Sequence, residues 1–139
     1  MTVFTATELA YLTGERRLGR LATVGPDGMR HIAPVGWSFN PGLGTIDIGG
    51  RDIARTKKFR DVARTGKAAI VIDDVLPPWR PRGIEVRGNA KVIRDADSLI
   101  RLHPRRIASW GLDRDEPGAR QARDMSAMSS AGGGGPGRP

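Results

Sequence analysis

The densest basic segment of the chain, residues 51–67, has the composition of an anion-binding element. It follows Asp47-Ile48-Gly49-Gly50, where an apolar run ends in two glycines. Glycines let a ligand approach the backbone, a helix N-terminus offers free amides, and lysines add point charge. We therefore predict a phosphate-binding turn, with a solvated basic helix face as the alternative. Neither the Walker spacing nor GxGxxG is present. The basic residues of the segment are Arg51, Arg55, Lys57, Lys58, Arg60, Arg64 and Lys67.

Other side chains that could do chemistry are scarce. The chain has no cysteine and two isolated histidines, His31 and His103, so thiolate nucleophiles are excluded and a metal site is not expected. No serine lies in a nucleophile-elbow context. Trp79 and Trp110 are flanked by Arg and Pro or by Ser and Gly, which favours pocket walls that stack on a planar ring. Trp37 and His31 are more simply interpreted as structural residues.

Short strands and two helices are expected to position these residues. Thr5 and Glu8 have the spacing of a capping box, and Gly66 offers a stop after the basic segment. Pro104 restricts the last strand to an edge or a bulge. Antiparallel strands joined by hairpin turns predict a mainly β fold, a small barrel that closes its own edges. The predicted helices are Thr5–Thr13 and Asp52–Arg64; the predicted strands are Leu18–Val24, Met29–Trp37, Thr45–Ile48, Lys67–Asp73, Ile84–Ile93 and Leu99–Trp110, with a Pro-rich loop over Leu76–Arg82.

The length of 139 residues allows one compact domain, which we place at residues 1–113. Residues 114–139, which end in SSAGGGGPGRP, are predicted to form a disordered tail because they hold few apolar side chains. Residues 1–113 carry 19 Lys/Arg against 12 Asp/Glu, so most of the formal charge of +8 belongs to the folded part and predicts an anionic partner. No secretory leader or membrane span is visible, so we expect a soluble cytoplasmic protein.

Several segments, in the right order, resemble the pyridoxamine 5′-phosphate oxidase-like split barrels, and more closely their deazaflavin-dependent actinobacterial branch. RLGRLATVGPDGMRHIAPVGW is similar to the opening hairpin, and GTIDIGGRDIARTKKFRDVARTGKAAIVIDD to the third strand, phosphate helix and fourth strand. RGIEVRGNAKVI and LIRLHPRRIASWGLD resemble the two closing strands. The likeness covers about residues 7–113. Two positions depart from it: Arg30 replaces a usual proline, and Asp61 stands where the branch often has asparagine.

The resemblance implies a split β-barrel, FMN-binding in the wider family, with one or two short helices and a homodimeric assembly. It implies that the Thr56–Lys58 stretch holds the cofactor phosphate, that Gly49 and Gly50 face the ring and ribityl chain, that the strand from His31 to Gly36 lines the ring edge, and that Arg82 and Trp110 close the pocket from the partner subunit. The cofactor-binding residues so implied are His31, Pro34, Val35, Gly36, Ile48, Gly49, Gly50, Arg55, Thr56, Lys57, Lys58, Arg82 and Trp110.

From this resemblance we expect an oxidoreductase that uses the deazaflavin coenzyme F420 to reduce a small organic molecule such as a conjugated enone. The acidic oligoglutamate tail of F420 suits a basic protein. An FMN-dependent oxidoreductase of the same fold and a non-enzymatic flavin-binding protein are the alternatives. Nucleic-acid binding fits the charge, but the RNA-type aromatic stacking motifs are missing, so neither a nucleic-acid nor a membrane partner is expected. Vitamin B6 oxidation is disfavoured because the substrate-binding C-terminal motif of the oxidase is not recognisable, and the residues that would act in catalysis are not identified.

Overall fold

The computed structural model describes residues 2–125, which form one antiparallel sheet with two short helices. The strand order is β2-β1-β5-β6-β7-β4-β3, and β8 pairs with β7. The predicted mainly β fold is confirmed. In chain order the elements are α1 Ala6–Thr13, β1 Gly19–Val24, β2 Arg30–Val35, β3 Ser38–Asn40, β4 Thr45–Ile48, a 3-10 turn Ile53–Arg55, α2 Lys57–Thr65, β5 Lys67–Leu76, β6 Arg80–Ile93, β7 Leu99–Trp110 and β8 Arg120–Asp124.

One face of the sheet forms the core, because apolar residues alternate with polar ones along the central strands. The register sets Leu21, Ile70, Val86 and Ile107 side by side across four strands. All four side chains are fully buried. Helix α2 packs Phe59 and others onto this core. Burying a side chain of this size contributes about 1.5–3 kcal/mol, so this row fixes the register of the sheet.

Both helices begin at side-chain caps. The Thr5 hydroxyl accepts from the Glu8 amide and the Glu8 carboxylate accepts from the Thr5 amide, which confirms the predicted capping box. The predicted helix Asp52–Arg64 is wrong at its start: a 3-10 turn comes first, and α2 begins only after Thr56, whose hydroxyl accepts from the Phe59 amide. Thr56 is in the extended backbone conformation of an N-cap, which interrupts the helix. Gly66 ends α2 in the left-handed conformation, as predicted.

Strand β7 contains a β-bulge at Pro104. The sequence predicted that this proline lies either at an edge or in a bulge. Gly88 pairs with Pro104 while Arg87 pairs with Arg106, so Arg105 is the extra residue. A side chain at Gly88 would collide with the His103 carbonyl, so only glycine fits opposite the bulge. The other edge of β7 pairs with β4 up to Leu102 and with β8 from Arg106. Pro104 lies in the gap between these two pairings, where its missing amide proton breaks no ladder hydrogen bond.

Three sequence predictions need correction. The boundary at residue 113 is too early, because β8 pairs with β7 and Met125 is buried. Arg123 supplies a reason: its guanidinium binds the buried Glu8 carboxylate at 2.6 Å. Residues 126–139 of the predicted tail lie outside the described residues. The Pro-rich loop is shorter than predicted, since β5 and β6 pair up to Leu76 and Arg80, and β3 was not predicted. Among the described residues no helix is long and apolar enough to cross a membrane.

Candidate functional site

The candidate site, called the groove below, is the surface between the free edge of β2 and the segment 49–56. Among the described strands β2 pairs only with β1, so its other edge has unpaired backbone groups. At one end, Gly36 comes two residues before Ser38 and Gly49 two residues after Asp47, the β4 partner of Ser38, so both glycines extend from the same end of the β3–β4 pair. At the other end the Lys57 ammonium reaches the β1–β2 turn, where it lies 2.9 Å from the position that a Cβ on Gly25 would take. The segment 49–56 therefore leads from the β3–β4 pair to the helix whose Lys57 reaches the β1–β2 turn.

The N-terminus of α2 forms the anion-binding end of this groove. The backbone amides of Lys57 and Lys58 have no acceptor among residues 2–125, as expected for the first turn of a helix. The Thr56 hydroxyl is already engaged, because it donates to the Ile53 carbonyl at 2.6 Å and accepts from Phe59. Thr56 can therefore position the turn, while the two amides and the lysine ammonium groups can bind an anion directly. Arg55 is exposed in the preceding turn.

Asp61 is a buried carboxylate beneath this end of the groove, and only 2% of it is exposed. It accepts from the Thr23 hydroxyl at 2.8 Å and pairs with Lys57 at 3.3 Å and with Arg64 at 3.5 Å. Burial alone would raise the pKa of Asp61, but the hydrogen bonds from Thr23 and Lys57 outweigh it and hold the pKa below its ordinary value. Asp61 therefore stays ionised and holds Lys57 against the β1–β2 turn.

The opposite end of the groove, at Gly36, Gly49 and Gly50, has open space and few side chains. A Cβ built on Gly36, Gly49 or Gly50 would meet no atom within 4 Å. Pro34 is exposed and His31 half-buried on β2, whereas the side chains of Val35 and Ile48 are in the core, so these last two can offer a ligand only their backbone. Gly36 lines a cavity of 460 Å³ beside Trp37, while Gly49 and Gly50 line another of 620 Å³. The backbone at these three glycines is therefore open to a ligand, with no side chain in the way.

Arg82 and Trp110 lie elsewhere in the chain. Arg82 makes a bidentate ion pair with Asp74 at 2.8 and 3.0 Å, and the Tyr11 hydroxyl donates to the same carboxylate at 2.8 Å. The Arg82 hydrogen bond lowers the pKa of Asp74 to about 2, and burial raises that of Tyr11. Asp74 therefore holds the Arg82 guanidinium in place within this chain. Trp110 lies at the end of β7 opposite Gly83, four strands away from β2.

A basic cavity of 490 Å³ opens at the same end of the sheet as Lys57. It is lined by the last residues of β1, the first of β2 and the small residues Ala22 and Ala69, with four cationic side chains around it: Arg30, Lys67, Arg87 and Arg105. Arg87 pairs with Glu85. No carboxylate lines this cavity, so it favours a second anionic group beyond the one that α2 could bind.

The fold and this groove define a class. The family model described as pyridoxamine 5′-phosphate oxidase matches residues 5–129, and the chain belongs to this family of oxidoreductases. The 5a,11a-dehydrotetracycline/5a,11a-dehydrooxytetracycline reductase of Streptomyces rimosus is 40% identical over 135 residues, which cover 89% of this chain and 94% of the reductase.

Solved structures show the same fold. An FAD-binding protein from Mycobacterium smegmatis is 25% identical with a TM-score of 0.59, covering 76% of this chain and 93% of that protein. An F420 reductase is 18% identical with a TM-score of 0.56, covering 70% of this chain and 94% of that protein. The predicted family and the split-barrel fold are thereby confirmed, and a flavin-type cofactor is consistent with these neighbours.

Two parts of the site were missed from the sequence. The predicted phosphate residues Thr56, Lys57 and Lys58 lie at the start of α2, but the roles of Asp61 and Thr23 beneath them were not foreseen. Asp61 is four residues after Lys57, a spacing that allows a helical ion pair and could have indicated the contact. The contact with Thr23 joins α2 to β1, and nothing in the local pattern indicates it.

Proposed function

We propose that this protein is a reductase that binds the deazaflavin F420 in the groove between β2 and segment 49–56 and reduces a conjugated carbonyl compound. The observation that carries the proposal is the polarity of the groove. It has free amides and lysines at one end and glycines with open space at the other. Six residues of β2 span about 17 Å, enough for a ribityl chain and a ring laid end to end. The 40%-identical relative, named as a reductase of dehydrotetracyclines, supports the reaction class.

In this proposal the α2 amides, Lys57 and Lys58 hold the phosphodiester, and the β2 edge with Gly49 and Gly50 positions the ring. A bound deazaflavin would supply the hydride. The chain itself needs only to hold the two reactants in contact, since orientation alone can lower a barrier by several kcal/mol. A protein that only positions the reactants needs no strong acid or base, and the side chains of the groove include few of either.

The basic cavity favours F420 over FMN. FMN carries one phosphate, which α2 can bind, whereas F420 carries an acidic tail in addition. Lys67 and Arg105 have no ion-pair partner among residues 2–125, and both line the cavity next to the phosphate end. We assign this cavity to the tail. Substituting Lys67 and Arg105 by glutamine should then lower the affinity for F420 and leave the affinity for FMN unchanged.

Titration of the purified protein with F420 and with FMN, followed by fluorescence, tests the assignment. Lys58→Met should weaken F420 by about 1–2 kcal/mol without changing the melting temperature, because Lys58 has no ion-pair partner in the described part of the chain. Arg114→Met removes the same charge from a distant exposed loop and is the control. Tighter binding of FMN would overturn the cofactor, binding without turnover of enones would indicate a carrier, and binding of neither would favour a nucleic-acid partner.

The working unit in this proposal is a homodimer that joins two copies through the outer face of β1 and β2. Three apolar side chains are exposed there: Val24, Met29 and Ile32, with 37%, 69% and 66% of their surface accessible. They lie beside the proposed groove, so a second copy would cover the ring. Ile32→Glu should convert the dimer to a monomer in sedimentation and weaken the cofactor. Sedimentation of the unaltered protein as a monomer with full affinity would contradict this.

A further inference from the structure

A second cavity lies between the tip of the β5–β6 hairpin and the loop that leads into β8. Its volume is 350 Å³, and its walls are Trp79, Arg80 and Pro81 on the hairpin side and Trp110, Gly118 and Arg120 on the other. Trp79 is unusually exposed, at 76% of its surface. Neither the family match nor the named relatives assign this cavity a role.

Trp110 forms a flat wall because of the residue beside it. Gly83 pairs with Trp110 across β6 and β7, and a Cβ on Gly83 would lie 2.8 Å from Cζ2 of the indole. The missing side chain lets the indole lie across the neighbouring strand. On the other side of Trp110, Arg120 is its partner in β8, with the guanidinium 5.8 Å from the ring centre. An indole face with a cation beside it is suited to a planar ring that carries negative charge.

The charge of the cavity points to an anion. Arg80 and Arg120 have no acidic partner within 4 Å among residues 2–125, and no carboxylate lines the cavity. Asp113 and Glu116, in the same loop, line a neighbouring cavity on the other side of Trp110 and Arg120, which both cavities share. Two aromatic walls with two unneutralised arginines make a site for a fused-ring compound that bears a carboxylate, enolate or phenolate oxygen.

The register of the sheet places this cavity at the ring end of the groove. Val35 pairs with Gly19, and Gly19 pairs with Ile72. One residue further along β5, Asp73 pairs with Gly83, which pairs with Trp110. Trp110 is therefore level with the Val35–Gly36 end of β2, four strands along the curved sheet, and at the opposite end of the strands from the phosphate site. A substrate held here would therefore lie at the same end of the sheet as the proposed ring end of the groove.

We propose that the cavity between Trp79 and Trp110 is the recognition site for the ring system of the substrate, and that the substrate is a planar, fused-ring anion. This inference rests on the proposed function, because it takes the occupant to be the molecule that is reduced. Trp110, which the sequence resemblance assigned to the cofactor pocket, is in this proposal a substrate residue. The arginines select the charge, and the indoles select the shape.

Equilibrium dialysis with anthraquinone-2-sulfonate tests the site, with the neutral 2-(hydroxymethyl)anthraquinone as comparator. The unaltered protein should bind the sulfonate at least tenfold more tightly than the neutral compound. The double variant Arg80→Gln, Arg120→Gln should lose that preference, and Trp79→Leu, at an exposed position, should weaken both ligands without affecting folding. Arg114→Gln, in the same loop but outside the cavity, is the control.

The same variants titrated with F420 separate this proposal from the proposed function. Retained F420 affinity together with lost sulfonate binding supports a substrate site. If the arginine variant loses F420 affinity instead, or binds the sulfonate as tightly as the unaltered protein, the substrate assignment is overturned. Should the unaltered protein fail to bind F420, the cofactor proposal falls, while the dialysis result still decides whether the cavity recognises planar anions.

Discussion

Asp61→Asn should make the protein less stable but tighten its hold on an anionic cofactor. Asparagine keeps the shape and can still accept from the Thr23 hydroxyl, so the variant isolates the charge. Asp61 is buried and pairs with Lys57 and Arg64, whose side chains are 43% and 39% exposed. Ion pairs with such exposed partners contribute about 0.5 kcal/mol each, so we expect a loss of about 1 kcal/mol.

The effect on binding should have the opposite sign. With Asp61 present, its charge cancels one of the two cations around it; with asparagine, both remain uncompensated. A phosphate in contact with Lys57 would lie about 6 Å from Asp61. At effective dielectric constants between those of a protein surface and water, removing a like charge at this distance is worth about 1–2 kcal/mol, or roughly five- to thirtyfold in affinity.

Urea denaturation and F420 titration of the same preparations measure the two effects. Thr23→Val is the matched control, since it removes the 2.8 Å hydrogen bond without changing any charge, and it should lower stability with little change in affinity. The Asp61→Asn effect on binding should shrink at high salt. If Asp61→Asn weakens F420 as well as the fold, Asp61 acts mainly by positioning Lys57, and the electrostatic reasoning above is wrong.

Three further predictions concern the scaffold. Arg123→Met should cost about 3 kcal/mol in urea denaturation because it leaves the buried Glu8 carboxylate without its cation; an unchanged midpoint would show that β8 contributes little. The pKa of Asp74 is about 2 in the folded protein and near 4 in the unfolded chain. Its ionised form therefore stabilises the fold by about 1–2 kcal/mol above pH 4, and this stability is lost as the pH falls toward 2. Asp74→Asn should flatten that part of the curve of stability against pH. Gly83→Ala should lower the free energy of unfolding by about 2 kcal/mol, because its Cβ would lie 2.8 Å from a backbone oxygen of the neighbouring strand. Gly118→Ala, in open space, is the control and should leave the melting temperature unchanged.

Much of the fold follows from local patterns in the sequence. The capping box at Thr5 and the glycine stop at Gly66 depend on residues within one turn, and both are confirmed. Strand β8 was missed because RQARD has no apolar alternation of its own. The strand is held by tertiary contacts with β7 and with the Glu8 carboxylate, and Arg123 lies 115 residues from Glu8 in the sequence. A segment of this kind cannot be recognised until its partners are known.

The residues assigned to the candidate site stay a prediction, and their arrangement in space could not be derived from local patterns. The basic segment after Gly49-Gly50 indicated an anion site, and the structure places free amides there. That the Lys57 ammonium returns to Gly25 depends on how α2 packs against the β1–β2 hairpin, which no local pattern specifies. Arg82 illustrates the same limit, because its bidentate partner Asp74 comes from the neighbouring strand β5.

The contact between Glu8 and Arg123 has a consequence for how the protein is made. A ribosome must add 115 residues after Glu8 before Arg123 exists, which takes roughly 6–23 s at ordinary rates of synthesis. Throughout that interval the Glu8 carboxylate has no guanidinium to accompany it into the interior, so α1 cannot dock stably on the nascent barrel. The first helix to be synthesised should therefore be among the last elements to dock, and nascent chains that stop short of β8 should expose α1 to proteases and chaperones.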